Sequence, residues 1–416
     1  MLTVEALEDF DSVIAIMPEW HGIWIADPLA NVFCGSEWFA IWWQSFAIHA
    51  EQLPLQITCG RHVFRFATKH IRPYVLVVRN GSQCVGVLPL VAVQTLWRRL
   101  PARILLSPLN SQCERSGLVR SLDTAEVMIA IVGFLRQQSG WDVLLLDGIA
   151  LEGQVVKCLR AATQTMGLAI IECESAWKHY YLPIRTSWDE YAAAKGYSFR
   201  KPLRRAERNL AELGELSYEC YDWQTQGEKG LELFMDVDLH SWKMQRGESV
   251  ADVPVLRAFY RNLFSQLSQQ GHCQIRVLRI AGVAVAALFC LMSKGVVYGL
   301  KISFRQQYTS AKLGPGVILM NEFVKTAHES GLTAIDFMGE PTFLRRWVTT
   351  QQVYGQACLF AGHSYGRCLS YVDNVSRQLK PRLDRLKLTK QYPQGGSQAP
   401  SSQLTEDIKE NEYGEK

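Results

Sequence analysis

The chain lacks clustered cysteines. Its eleven cysteines stand singly, and no two have the CxxC spacing that zinc sites and redox dithiols use. An odd, scattered set argues against a disulfide framework and for free buried thiols in a reducing compartment, the cytoplasm. Neither metal nor redox chemistry is implied. Long hydrophobic runs are also missing. The longest, Val283 to Met292, falls far short of the roughly 20 residues of a membrane helix, so no membrane span is expected. The segment Met1 to Asp9 is acidic and does not read as a secretion signal. Nor is there an excess of one charge: 44 Lys and Arg against 40 Asp and Glu leave +4, too little to argue for nucleic acid or a membrane surface.

What is present is ordinary globular material, 416 residues with 48% hydrophobic and 20% charged. That suits two medium-sized domains, each with its own core. The segment Asn31 to Phe46 places Trp38, Ile41, Trp42 and Phe46 at helical spacing, which predicts an amphipathic helix with its aromatics turned inward. Tyr74–Val78, a turn at Arg79-Asn80-Gly81, and Val85–Val91 read as a hairpin. A helix is expected over Ala125 to Gln137, ending at Ser139-Gly140. A strand, Val143–Leu146, then closes at Asp147-Gly148.

The same order returns further on. Gln274–Ile280, Val283–Cys290 and Val296–Lys301 read as strands, Gly316–Glu329 as a helix stopped by Ser330-Gly331, and Ala334–Phe337 as a further strand. This repetition predicts two duplicated α/β (α+β) domains over residues 1–183 and 184–372, each a mixed, mostly antiparallel sheet flanked by helices. Residues 373–416 are expected to form a helical extension and a tail that is disordered from Tyr392, where composition turns to Gln, Gly, Ser, Pro and acids.

Four segments carry candidate chemistry. Phe199 to Leu210 has an apolar helical stripe, with Arg200, Lys201, Arg204, Arg205 and Arg208 on its remaining surface. Guanidinium forks of this kind bind phosphates, though a merely solvated face has the same appearance. Asp238 to Ser249 holds Trp242, Lys243 and His240, the last a candidate general base or else a structural hydrogen-bonding group. Tyr308 leads into Lys312, Gly314, Pro315, Gly316 and Val317. There two glycines allow close backbone approach, and a helix start offers free N–H groups to a pyrophosphate. Asp336 and Glu340 put two carboxylates at a strand end, where either could orient or deprotonate an acceptor or cap the following turn.

With these residues in order, the stretch from Trp188 to Trp347 resembles the CelD-type acetyltransferases, the cellulose-biosynthesis-associated branch of the GNAT superfamily, which is related to the Fem peptidyltransferases. The resemblance rests on Phe199-Arg200-Lys201 with Arg204-Arg205, Ser241-Trp242-Lys243 with Gly247 and Ser249, Lys301, Tyr308, Gly314-Pro315-Gly316, and Asp336-Phe337 with Gly339 and Trp347. Ser303-Phe304-Arg305 stands where that family often has an Asp.

The resemblance implies a tandem GNAT fold and acyl transfer from acetyl-CoA or another acyl-CoA, without metal. It also implies a small-molecule or saccharide acceptor tied to cell-envelope polysaccharide or a related metabolite. In that scheme Lys312, Gly314, Pro315, Gly316 and Val317 hold the donor. Arg200, Arg204, Lys243 and Lys301 attract anionic groups, and Trp242 and Trp347 wall the cleft. Asp336, Glu340 or His240 takes the proton, and Tyr308 protonates the leaving thiolate. Two other readings remain open. One is Fem-like aminoacyl transfer from tRNA, whose enzymes usually carry a helical-hairpin insertion for which this chain shows no strong heptad run. The other is a non-catalytic binding module.

Overall fold

The computed structural model describes residues 2–47, 55–59, 62–66, 71–110, 112–309, 314–339, 341–348 and 350–390. Its first strands are β1 (Leu2–Leu7), β2 (Leu55–Cys59), β3 (His62–Phe66), β4 (Ile71–Pro73), β5 (Val75–Asn80), β6 (Gln83–Leu88), β7 (Val91–Trp97), β8 (Leu100–Leu106) and β9 (Val119–Arg120). They are followed by β10 (Val143–Ala150), β11 (Ile170–Pro183), β12 (Leu216–Tyr221), β13 (Cys273–Ile280), β14 (Val283–Ser293), β15 (Val296–Phe304), β16 (Ala334–Asp336) and β17 (Gln351–Phe360). The longer helices are α1 (Phe10–Ala26), α2 (Ser36–Trp42), α3 (Thr124–Gln137), α4 (Gln154–Thr165), α5 (Trp188–Lys195), α6 (Tyr197–Ala211), α7 (Lys229–Leu239), α8 (Pro254–Gln269), α9 (Pro315–Glu329) and α10 (Ser364–Lys390).

The architecture is the expected mixed α/β one, with sheets flanked by helices. A four-stranded sheet has the order β1-β5-β6-β9, β2 pairs with β3, and an eleven-stranded sheet runs β12-β13-β14-β15-β16-β11-β17-β10-β8-β7-β4. The hairpin read from the turn at Arg79-Asn80-Gly81 forms as one long bent pair. Its tip, β5 with β6, lies in the small sheet, and its base, β4 with β7, in the large one. Pro73 and Pro89 sit at the bend, where a residue that cannot donate to a ladder does least harm.

Each half contains a pair of parallel strands joined through a helix. In the first half β8 pairs with β10 and α3 lies between them in sequence; in the second β15 pairs with β16 across α9. The halves share one sheet, because β17 pairs with both β10 and β11, and β11 continues to pair with β16. Strand β11 thus runs straight through the stretch that marks the passage from one half to the other in sequence.

The aromatic segment near the start joins the halves. Trp38, Ile41, Trp42 and Phe46 are all buried as their spacing predicts, each contributing about 1.5–3 kcal/mol on burial. The continuous helix expected there is broken into a 3-10 turn at Val32–Cys34, then α2, then a wider turn at Trp43–Ala47. Trp38 meets Phe259 of α8 edge to face, and Phe33 meets Tyr298 of β15 in the same way. Aromatic pairs in this geometry prefer one arrangement, which fixes how the first half seats on the second.

Two further elements depart from expectation. Strand β10 does not close at Asp147-Gly148 but passes through a bulge there to Ala150. Helix α6 starts at Tyr197, after Gly196 with φ of 79°, two residues ahead of the stripe read from Phe199, and Pro202 falls in its second turn. The expected tail from Tyr392 lies outside the described residues.

Candidate active site

Strands β15 and β16 are paired only over Val296–Tyr298 and Ala334–Asp336. Beyond Tyr298 they part: β15 runs on to Phe304, while β16 stops and Met338 turns away with φ of 51°. Just past the fork β15 carries a bulge. Phe289 is opposite Lys301 and Cys290 opposite Gly299, which leaves Leu300 out of the ladder with β14. A fork and a bulge together open a cleft between two strands whose backbones would otherwise be hydrogen-bonded.

At the wide end of the fork stands the start of α9. Its first residue is Pro315, Gly314 precedes it without a side-chain cap, and no acidic residue lies in the first turn. Pro315 has no N–H and Val317 N donates to Gly314 O at 3.0 Å, so this terminus offers an anion the Gly316 N–H and the positive end of the helix dipole. Gly316 is required by packing, since a Cβ there would lie 2.6 Å from the Phe304 ring. The corresponding helix of the first half is built the other way. Asp123 caps α3 by accepting from Ala125 N at 2.8 Å, and Glu126 sits in its first turn. An anion at α3 would meet two carboxylates, so of these two corresponding helices only α9 has a start suited to a phosphate.

Where the fork opens lies a cavity of about 170 Å³ lined by Gln112, Glu114, Tyr260, Leu300, Lys301 and Met338. Two of these come from the first half. The loop holding Gln112 and Glu114 is drawn in by Gly148 of the β10 bulge, whose φ is 67° and where a Cβ would lie 2.5 Å from the Glu114 carbonyl oxygen. Ser116 N donates to Gly148 O at 3.2 Å and holds the loop there. The buried Tyr260 donates its hydroxyl to Gln112 Oε1 at 3.0 Å, tying the loop to α8.

Behind the cavity is a buried charged network. Arg115 and Asp336 form an ion pair at 2.5 Å, and the Arg115 guanidinium lies 4.0 Å from the centre of the Tyr354 ring. His179 Nδ1 is 2.7 Å from Arg115 Nη2, and its Nε2 is 3.2 Å from Glu114 Oε2. Burial would raise the Asp336 carboxyl, but Arg115 and His179 hold it below the usual carboxylate range. Burial and Arg115 push His179 down, yet its carboxylate neighbours Asp336 and Glu114 outweigh them and raise it.

A second buried cluster lies on the Lys301 side. Asp238 is fully buried; its Oδ1 accepts from Ser303 Oγ at 2.5 Å, and its Oδ2 accepts from Ser249 Oγ at 2.8 Å and Ala251 N at 3.2 Å. Lys243 Nζ donates to Ser303 Oγ at 2.9 Å and to the Ile302 carbonyl, and lies 3.6 Å from Asp238 Oδ1. Burial first, then the nearby Lys301 cation, push the Lys243 ammonium down to about 7. Lys301 itself is lowered by burial and has no hydrogen-bond or ion-pair partner among the described residues. Asp238, then Glu114 and Glu248, favour its charge from a distance, but none of them touches it. Cys113, next to Glu114, is buried, and its thiol is pushed up to about 12, far from a reactive thiolate.

The residues singled out in the sequence are not all gathered here. Lys301 lines the cavity, and Lys243 stands directly behind it. Gly314, Pro315, Gly316 and Val317 form the start of α9. Asp336 lies at the fork but is fully buried and ion-paired, spent on Arg115 rather than open to an acceptor. His240 is on the surface, its Nδ1 2.7 Å from Asp236 O. Tyr308 is half-buried in a 3-10 turn against the core beneath α9. Trp242 is half-buried with Arg246 4.7 Å above its ring. Trp347 is not a cleft wall: it is fully buried, its Nε1 donating to Asn321 Oδ1 at 3.3 Å. Arg200 is partly buried, with its Nε 3.4 Å from Gly196 O, and Arg204 is exposed on α6. Lys312 and Glu340 lie outside the described residues. Sequence reasoning missed Gln112, Glu114, Arg115, His179, Asp238 and Tyr260. The one available signal was a polar Asn110–Gly117 loop at the end of a first-half strand.

Residues 197–346 match the family described as Acetyltransferase (GNAT) domain. A comparison with the curated proteins finds no match. Among solved structures, FemX superposes with a TM-score of 0.54 at 11% identity, over 82% of this chain and 95% of its own. A conserved protein of unknown function from Bacteroides thetaiotaomicron superposes with a TM-score of 0.51 at 11% identity, over 86% of this chain and all of its own. At such identity the likeness is one of fold, and it extends over both halves. Among the described residues no helix is long and apolar enough to cross a membrane, and no cluster of three metal-ligating side chains occurs.

Proposed function

We propose that this protein is a GNAT-type acyltransferase that moves an acyl group from an acyl-CoA to an acceptor bound in the cavity between its halves. The observation that carries the reading is the fork of β15 and β16. It joins an uncapped helix terminus, suited to a pyrophosphate, to a cavity holding a carboxylate and a cation with no contact partner among the described residues. The ordered motifs of residues 188–347 favour the CelD-type branch, with acetyl-CoA as donor.

In this scheme α9 holds the donor's pyrophosphate by the Gly316 N–H and the helix dipole. The acyl arm lies along the fork, where the unpaired edge of β15 at Leu300 offers backbone hydrogen bonds to it. Glu114 takes the proton of the acceptor, with its partner His179 orienting the carboxylate. The acceptor then attacks the thioester directly, the new bond to the acyl carbon forms, and the C–S bond breaks as the thiolate leaves and is protonated. A covalent cysteine intermediate is disfavoured, because the thiol beside Glu114 is held protonated by burial. Arg204, Arg205 and Arg208, exposed on α6, draw anionic substrates toward the second half in a salt-dependent way.

The test is thiol release from acetyl-CoA and longer acyl-CoAs by the full chain, run beside titration with tRNA. Acceptor-dependent thiol release supports the reading. Binding of tRNA with no CoA ester bound or turned over favours aminoacyl transfer or a binding module instead.

A further inference from the structure

The cavity wall says what kind of acceptor fits. It carries one carboxylate, Glu114, and one cation, Lys301, contributed by opposite halves of the chain. The two do not neutralise each other by contact: Glu114 is paired with His179 at 3.2 Å, and Lys301 has no ion-pair partner among the described residues. Behind Lys301, Asp238 is already occupied by Ser303, Ser249, Ala251 and Lys243. Asp238, Glu114 and Glu248 favour the half-buried Lys301 ammonium from a distance, and a ligand anion adds the direct hydrogen-bonded pairing that it lacks. Glu114 on the facing wall is matched by a ligand cation. The cavity, of about 170 Å³, takes a small ligand that reaches both charges.

We infer that the acceptor is a small zwitterionic amine, an amino acid or a compound of that design, with its anionic group on Lys301 and its ammonium on Glu114. This inference rests on the acyltransferase reading and narrows it. The ammonium gives one proton to the Glu114 carboxylate, which passes it to solvent. The neutral amine attacks the thioester carbonyl, the C–N bond forms, the C–S bond breaks, and the nitrogen's second surplus proton ends on the departing thiolate. An acyl-CoA and an ammonium thus become an amide, free CoA and one proton. A plain alcohol would leave Lys301 unpaired, as would a simple amine.

The experiment uses the full chain and compares glycine, β-alanine and L-serine with ethylamine and ethanolamine as acceptors, reading free thiol from acetyl-CoA. Acetyl-CoA binding is measured separately by calorimetry for every variant. The expected result is that at least one zwitterion accelerates thiol release at least tenfold more than its carboxylate-free analogue. In Lys301→Met that preference is lost, with acetyl-CoA affinity unchanged; Lys301→Arg retains the preference and serves as the folding control. Equal rates with and without the carboxylate overturn the inference, as does a preference that survives Lys301→Met. Absence of acetyl-CoA binding to the unaltered chain is a different failure, that of the acyltransferase reading.

Discussion

Arg115 of the first half and Asp336 of the second meet in a fully buried ion pair at 2.5 Å, directly behind the cavity. Neither half alone can satisfy either charge. Breaking the pair from one side strands the other charge away from water. Arg115→Met should therefore cost about 3–5 kcal/mol, and the double change Arg115→Met with Asp336→Asn less than the sum of the single ones. Chemical denaturation of the four proteins measures this, and additive costs would mean that the pair does not couple the halves.

Gly148 is the hinge on which Glu114 reaches the cavity. A Cβ at that position would collide with the Glu114 carbonyl oxygen and the Arg115 Cα, and φ of 67° adds strain for any other residue. Gly148→Ala is expected to cost about 1–3 kcal/mol by overpacking and to displace the loop. Turnover should fall further than stability does. Loss of stability with unchanged kcat and KM would show that the loop's position is irrelevant to activity.

Glu114→Gln keeps the shape of the side chain and removes the base. The expected loss in kcat is about 10²- to 10⁴-fold, with acetyl-CoA affinity unchanged. Steady-state kinetics and calorimetry on the same preparation separate the two quantities. A variant with ordinary kcat would remove Glu114 from the mechanism.

Lys243 sets a pH dependence of stability with a defined sign. Its ammonium titrates near 7 in the folded chain and near 10.5 when unfolded, so between those values the unfolded chain holds a proton that the folded one has released. Stability from this group therefore rises with pH from about 7 toward 10.5 and is penalised below that window. Its partner Asp238 has a lowered carboxyl, whose contribution is lost only in acid, outside the window. The unfolding free energy of the unaltered chain minus that of Lys243→Met should climb from pH 7 to pH 10. A flat difference would show that Lys243 stays charged.

How much of this could be read from the residues alone follows a physical division. Periodicity is local, so the aromatic face of Trp38 and Trp42, the strands β13 to β15 and the helix from Pro315 were visible in the sequence. The parallel pairing of β15 with β16 through α9 fits the strand, helix and strand read there, whereas its counterpart through α3 was not legible, because β8 was not read as a strand. Which loop of the first half touches the second could not, because it depends on a glycine bulge and on packing between Trp38 and Phe259. For that reason Glu114 and Arg115 passed unnoticed, while Asp336, singled out as a base, proved to be the partner of an arginine far away in sequence. Trp347 carried a sequence cue for a cleft wall and is instead part of the core, since one exposed and one buried tryptophan look alike in a sequence.

The account stands or falls on whether the fork and the start of α9 receive a CoA ester. Calorimetric titration of the full chain with acetyl-CoA, beside Gly314→Asp at the position that caps α9, tests it most directly. The account predicts a dissociation constant between about 1 µM and 1 mM for the unaltered chain, within the usual range for enzyme substrates. It predicts at least tenfold weaker binding when a carboxylate is placed at the helix terminus. No binding of any CoA ester, or equal affinity in the two proteins, would contradict it.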